Sequence, residues 1–123
     1  MKIFIFCLKD GYSKALDFRG RTRRRDHWIF LLGLYLSFIP ISIASSLFAR
    51  LALLYVPGFI GALLVWFFQL LPLLILAISY LSSAVRRIHD SGKSGWFYFI
   101  PFYNLYLLVK KGDLEINKWG LPN

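Results

Sequence analysis

The chain has one cysteine, Cys7, and two histidines, His27 and His89. A single thiol excludes an intramolecular disulfide and a thiolate metal cluster within one chain. Two histidines without tight ligand spacing argue against a metal site, and no cofactor is expected. Acidic residues are few, 6 against 15 lysines and arginines, leaving a net charge of +9. Charge is scarcest in the middle of the chain, where Arg50 is the only charged residue from Trp28 to Val85. The apolar run Ile3–Leu8 is too short for a signal-peptide core, which needs roughly 7–15 residues, and no small-residue cleavage site follows it. Cys7 within that run reads as an apolar filler.

What remains is apolar and aromatic. The chain of 123 residues, enough for one domain, is 58% hydrophobic and 19% aromatic, with a mean hydropathy of +0.58. In a soluble protein the basic excess would suggest nucleic acid. Here the cations cluster beside uncharged runs, so the lipid bilayer and its anionic phospholipid headgroups are the expected partners, and no nucleic acid is expected.

Trp28 to Ala49 is uncharged; about 22 residues at roughly 1.5 Å each reach about 33 Å, enough to cross the hydrocarbon core. Arg50 to Gly58 reads as the turn on the far side, and residues 59–85 as a second span. Pro40 and Pro72 are expected to kink the two helices. Gln69 is the one strongly polar side chain deep in a span, where an interhelical hydrogen bond is the ordinary role. The third apolar segment, residues 95–109, is interrupted by Pro101. As a helix it would cover only about 22 Å, which leaves a short tilted span or a re-entrant turn. Before the first span, Phe4, Leu8, Tyr12 and Leu16 recur at i, i+4 within the basic segment 1–27, as in an amphipathic helix lying in the interface plane, with a short strand at Ile3–Leu8 as the alternative. After the third segment, 110–123 is a polar tail resembling a juxtamembrane turn anchored by Trp119. The fold class is therefore all-α membrane protein: two transmembrane helices, a third short span or re-entrant helical segment, and an N-terminal interfacial amphipathic helix. Five arginines from Arg19 to Arg25 place the N-terminus in the cytoplasm by the positive-inside rule.

The densest polar stretch is Val85-Arg86-Arg87-Ile88-His89-Asp90-Ser91-Gly92-Lys93-Ser94-Gly95-Trp96. It invites a phosphate-loop reading, but Arg87 stands where the motif needs its first glycine, and no strand precedes it. A weaker reading is an anion held by the glycine-rich backbone and Lys93 at the start of a third helix. His89 and Asp90 are adjacent, so on a helix they do not face one another as a dyad. Asp90 is expected either to pair with an arginine or to cap the following helix. No serine or cysteine nucleophile arrangement is evident. The favoured constellation is a cytoplasmic-face pocket for an anionic headgroup or a partner's acidic segment. Arg21, Arg24, Arg86, Arg87, His89 and Lys93 form it, Asp90 and Asn117 organise it, and Trp28, Trp96 and Trp119 lie at its rim.

Three segments stand out together: Phe18-Arg19-Gly20-Arg21-Thr22-Arg23-Arg24-Arg25-Asp26-His27-Trp28, the 85–96 stretch, and Asn117-Lys118-Trp119-Gly120-Leu121-Pro122. In order and spacing they resemble the small bacterial inner-membrane proteins of the domain of unknown function 805 family, with the middle motif the specific one. The resemblance covers nearly the whole chain. His27 stands where the family pattern has an aromatic, the tail is one residue shorter before Pro122, and the segment joining the first two spans is longer than the pattern. The resemblance implies a multi-pass protein of the bacterial inner (cytoplasmic) membrane and no established activity. The expected function is non-enzymatic binding of anionic lipid or a membrane-protein partner; the alternative is a small channel or transporter built as a homo-oligomer.

Overall fold

The computed structural model describes residues 1–56 and 58–121. It is all-helical: α1 (Lys2–Ser13), α2 (Arg24–Tyr55), α3 (Phe59–Asp90), a 3-10 turn at Gly95–Phe99, and α4 (Tyr103–Val109). α2 and α3 pack against each other as a hairpin. Both are long and apolar enough to cross a membrane. Most of their side chains face outward, including Leu54, Trp66 and Phe67. A soluble protein does not leave so long an apolar surface bare, whereas hydrocarbon solvates it.

Both helices outrun the sequence boundaries. α2 continues past Arg50 to Tyr55, so most of the turn expected at 50–58 is helix and Arg50 is helical. The residues from Leu51 to Tyr55 include three leucines and an alanine, good helix formers, and the exposed Arg50 side chain leaves the helix undisturbed. Pro40 and Pro72 sit inside continuous helices. Pro57, part of the expected turn, lies outside the described residues, as do Pro122 and Asn123. α3 extends through the polar motif to Asp90, so Arg86 to Asp90 form its last turn rather than a loop.

α1 packs on the first turns of α2 through two close approaches. Gly11 lies under Phe30, where a Cβ would come within 2.2 Å of the ring, and Gly33 lies under Leu8 at the same distance. Gly11, which weakens a helix in isolation, is what lets this helix dock. Tyr12 meets Phe30 edge-on at 5.6 Å. Leu8 and Tyr12 therefore pack on the cluster of Phe30, Leu34 and Leu76.

Segment 95–109 does not form a third long helix. The chain breaks after the 3-10 turn, with Phe102 at φ 63 before α4 begins. Seven helical residues rise only about 10 Å, far short of a bilayer. Leu107 and Leu108 instead bury against Ala84 and Ile88 at the end of α3. The best-packed part of the molecule is thus the polar end of the hairpin.

Candidate functional site at the base of the hairpin

Asp90, 5% exposed, is the centre of this end. Arg87 lies three residues earlier on the same helical face and donates from Nη1 to Oδ2 at 2.7 Å. Arg21, from the loop between α1 and α2, donates from Nε to Oδ1 at 2.8 Å. Each carboxylate oxygen thus holds one guanidinium, and the expected arginine partner of Asp90 turns out to be two.

The same arginines staple the tail. Arg21 Nη1 donates to the carbonyls of Glu115 (2.9 Å) and Gly120 (3.3 Å), while Nη2 donates to those of Asp90 (3.3 Å) and Asp113. Arg87 Nε donates to the Leu108 carbonyl at 3.2 Å, and Nη2 to that of Lys110. The Asp113 N–H returns to the Asp90 carbonyl at 2.7 Å. The Asn117 side-chain amide donates to the His89 carbonyl at 3.0 Å. Cations and amide donors gathered at the C-terminus of α3 satisfy carbonyls that a helix end leaves without partners. Gly112 is seated against the carboxylate: a Cβ there would lie 2.0 Å from Asp90 Oδ2.

The other expected site residues separate into distinct groups. His89 stacks on Trp119 with ring centroids 4.4 Å apart, and Lys118 lies 4.2 Å from the same indole. Trp119, expected as an interfacial anchor, thus serves an internal stack. Arg24 and Lys93 are exposed, and Arg24 reaches the Val109 carbonyl at 3.1 Å. Arg86 is buried but faces away from Asp90 towards α1. Lys93 does not open a third helix, because only the short 3-10 turn follows it. Trp28 and Trp96 are exposed.

Two interactions were not anticipated. Ser82 Oγ donates to the carbonyls of Lys14 (2.8 Å) and Asp17 (2.7 Å), tying the end of α1 to α3. His27 is 1% exposed, with Nδ1 2.8 Å from Ser83 Oγ. Ser82 and Ser83 of α3 are thus hydrogen-bond anchors, one for distant backbone and one for this imidazole.

The titrating groups of this end lie beyond the uncharged stretches. Burial pushes His27 down to about 4, assisted by the charges of Arg87 and Arg86. Burial also lowers His89, with Lys118 adding to the shift and a Gly20 backbone hydrogen bond opposing it. Burial raises the Cys7 thiol, and neighbouring Asp26 raises it further. Because His27 is neutral in the fold but titrates near 6.5 when unfolded, its contribution is complete above 6.5 and declines as pH falls towards 4. The loss across that window is on the order of 3 kcal/mol. Thermal unfolding in mild detergent should show this slope, and His27→Phe should flatten it.

Chemically, this end carries a latch and a set of exposed cations. Asp90 is occupied by two guanidinium groups and His89 is stacked, so the two do not form an acid–base pair. No group of three or more metal-ligating side chains occurs among the described residues. No curated protein and no solved structure matches the chain. A family model does match, over residues 15–121, which takes in the loop of Arg21, the whole hairpin and the tail of the latch. The chain therefore belongs to the family described as Protein of unknown function (DUF805).

Proposed function

We propose that the protein is a non-enzymatic two-span protein of the bacterial cytoplasmic membrane, with its N-terminus and basic end in the cytoplasm, where exposed cations engage anionic phospholipid headgroups. The observation that carries this reading is the charge asymmetry of the hairpin. Arg50 alone is charged between Trp28 and Val85, while Arg24, Lys93, Lys110 and Lys111 stand exposed around the Asp90 latch. Each such cation near an anionic surface contributes about 1 kcal/mol. Arg21 and Arg87 support this indirectly, by holding the tail so that Lys110 and Lys111 stay beside Arg24. In the protein purified in mild detergent, anionic lipid should be retained in native mass spectra. The quadruple variant Arg24→Gln/Lys93→Gln/Lys110→Gln/Lys111→Gln should lose about tenfold or more of that lipid. Unchanged retention would reduce these cations to setting topology.

A second reading, a homo-oligomer that forms a small channel or transporter, has one specific support. Gln69 is exposed about a third of the way along α3, beside Ser42, Ser45 and Ser46, with no hydrogen-bond partner among the described residues. An amide facing hydrocarbon gains by pairing with another chain. Gln69→Leu should then shift the oligomer distribution, and an unchanged distribution removes that support.

A further inference from the structure

Between α1 and the base of the hairpin lies a cavity of about 320 Å³, whose lining includes Cys7, Asp10, Lys14, Asp26, Ser83 and Arg86. Arg86 is 3% exposed, as deeply placed as its neighbour Arg87. The two arginines are nonetheless treated oppositely. Arg87 grips a carboxylate, whereas Arg86 has no carboxylate within ion-pair distance among the described residues. Its one hydrogen bond runs from Nε to the Ser82 carbonyl at a long 3.4 Å. A buried cation is ordinarily paired, because taking its charge out of water is costly. The acids of the cavity are held elsewhere. Asp10 pairs with Lys14 at 2.6 Å, and Asp26 meets the largely exposed Arg25 only at 3.4 Å. The cavity therefore presents a guanidinium with no carboxylate in direct contact, the charges of Asp10 and Asp17 acting on it only from farther off, and, on the α2 side, a loosely held carboxylate. Phe6 and Phe30 supply an apolar wall.

We propose that this cavity binds a phosphoethanolamine-type lipid headgroup, with the phosphate on Arg86, the ammonium on Asp26 and the acyl chains leaving past Phe6. An anion alone would satisfy Arg86 and leave Asp26 with only its long contact to Arg25; a zwitterion of this order satisfies both ends. The site is separate from the exposed cations, so the two readings stand or fall independently. Free inorganic phosphate shares the chemistry of the Arg86 half and is the competing source.

The test uses the full chain in mild detergent, titrated with short-chain phosphatidylethanolamine, with the matched phosphatidylglycerol and with inorganic phosphate, and followed by native mass spectrometry. In the quadruple variant, whose exposed cations no longer hold the anionic lipid, the chain should bind the ethanolamine lipid about tenfold more tightly than the glycerol lipid. Asp26→Asn should abolish that preference, and Arg86→Gln should abolish ethanolamine-lipid binding altogether. The quadruple variant of exposed cations should leave ethanolamine-lipid binding unchanged while losing phosphatidylglycerol. Equal binding of the two lipids by the quadruple variant, or a preference that survives Asp26→Asn in that background, would overturn the proposal. Binding of inorganic phosphate without either lipid would overturn it in favour of a free-phosphate site. Should Arg86→Gln fail to fold, the partly exposed Asp26 still decides the matter.

Discussion

Asp90→Asn is expected to cost about 3–5 kcal/mol, the penalty for breaking a buried ion pair from one side. The carboxylate compensates two guanidinium groups whose side chains are 1% and 0% exposed. An amide of the same size can accept one hydrogen bond but offers no charge, so Arg21 and Arg87 would be left buried and uncompensated. The consequences should be regional. The tail from Lys110 to Gly120 is held through these arginines and through the Asp90 carbonyl, and it should detach while the distal hairpin, packed by apolar contacts, persists. Hydrogen exchange of the purified protein would read this directly: fast exchange in 110–120 with protection kept in mid-α3. Replacing Asp90 and both arginines together with apolar residues of similar volume should recover much of the loss, because the largest penalty comes from unpaired charge.

Gly112→Ala is the second large effect, expected at about 2–3 kcal/mol by overpacking. The new methyl would fall 2.0 Å from Asp90 Oδ2, so either the carboxylate rotates away from Arg87 or the tail lifts. The signature is its dependence on Asp90. In an Asp90→Ala background the space is empty, and the same substitution should cost less than about 0.5 kcal/mol. Such non-additivity is what contact between the two residues requires. Additive costs would mean that the tail does not rest on the carboxylate.

Parts of this were legible in the chain. The uncharged runs forecast two long helices because nothing else satisfies so much backbone in an apolar setting. The spacing of Arg87 and Asp90 allowed their pairing, since i and i+3 share a helical face. Among five arginines in seven residues the sequence points to both Arg21 and Arg24 as neighbours of Asp90, and only the path of the loop selects Arg21, 69 residues away, as its partner. The contrast between Arg86 and Arg87 was likewise hidden. Adjacent helical residues point about 100° apart, and which one meets the acid depends on what packs there. Gly112 escaped notice, and Trp119 reads from sequence as an interfacial anchor, for the same reason: their roles are contacts with α3 made by a segment without periodicity of its own. Segment 95–109 was ambiguous by length, and the positive φ of Phe102 that divides it has no glycine to announce it.

Residues 19–25, 86–90 and 110–120 meet at one end of the α2–α3 hairpin, and the proposal that both helices span the membrane with this end in the cytoplasm is read most directly by cysteine accessibility across the membrane. Single cysteines at Arg23→Cys, Tyr55→Cys and Lys111→Cys, each in a Cys7→Ala background, would be labelled with a membrane-impermeant maleimide in right-side-out and inverted vesicles. All three positions are exposed. The prediction is that positions 23 and 111 react only from the cytoplasmic side, and position 55 only from the opposite side. Labelling of positions 23 and 111 from opposite sides would make segment 95–109 a third span, and would contradict both the latch and the basic surface built on it.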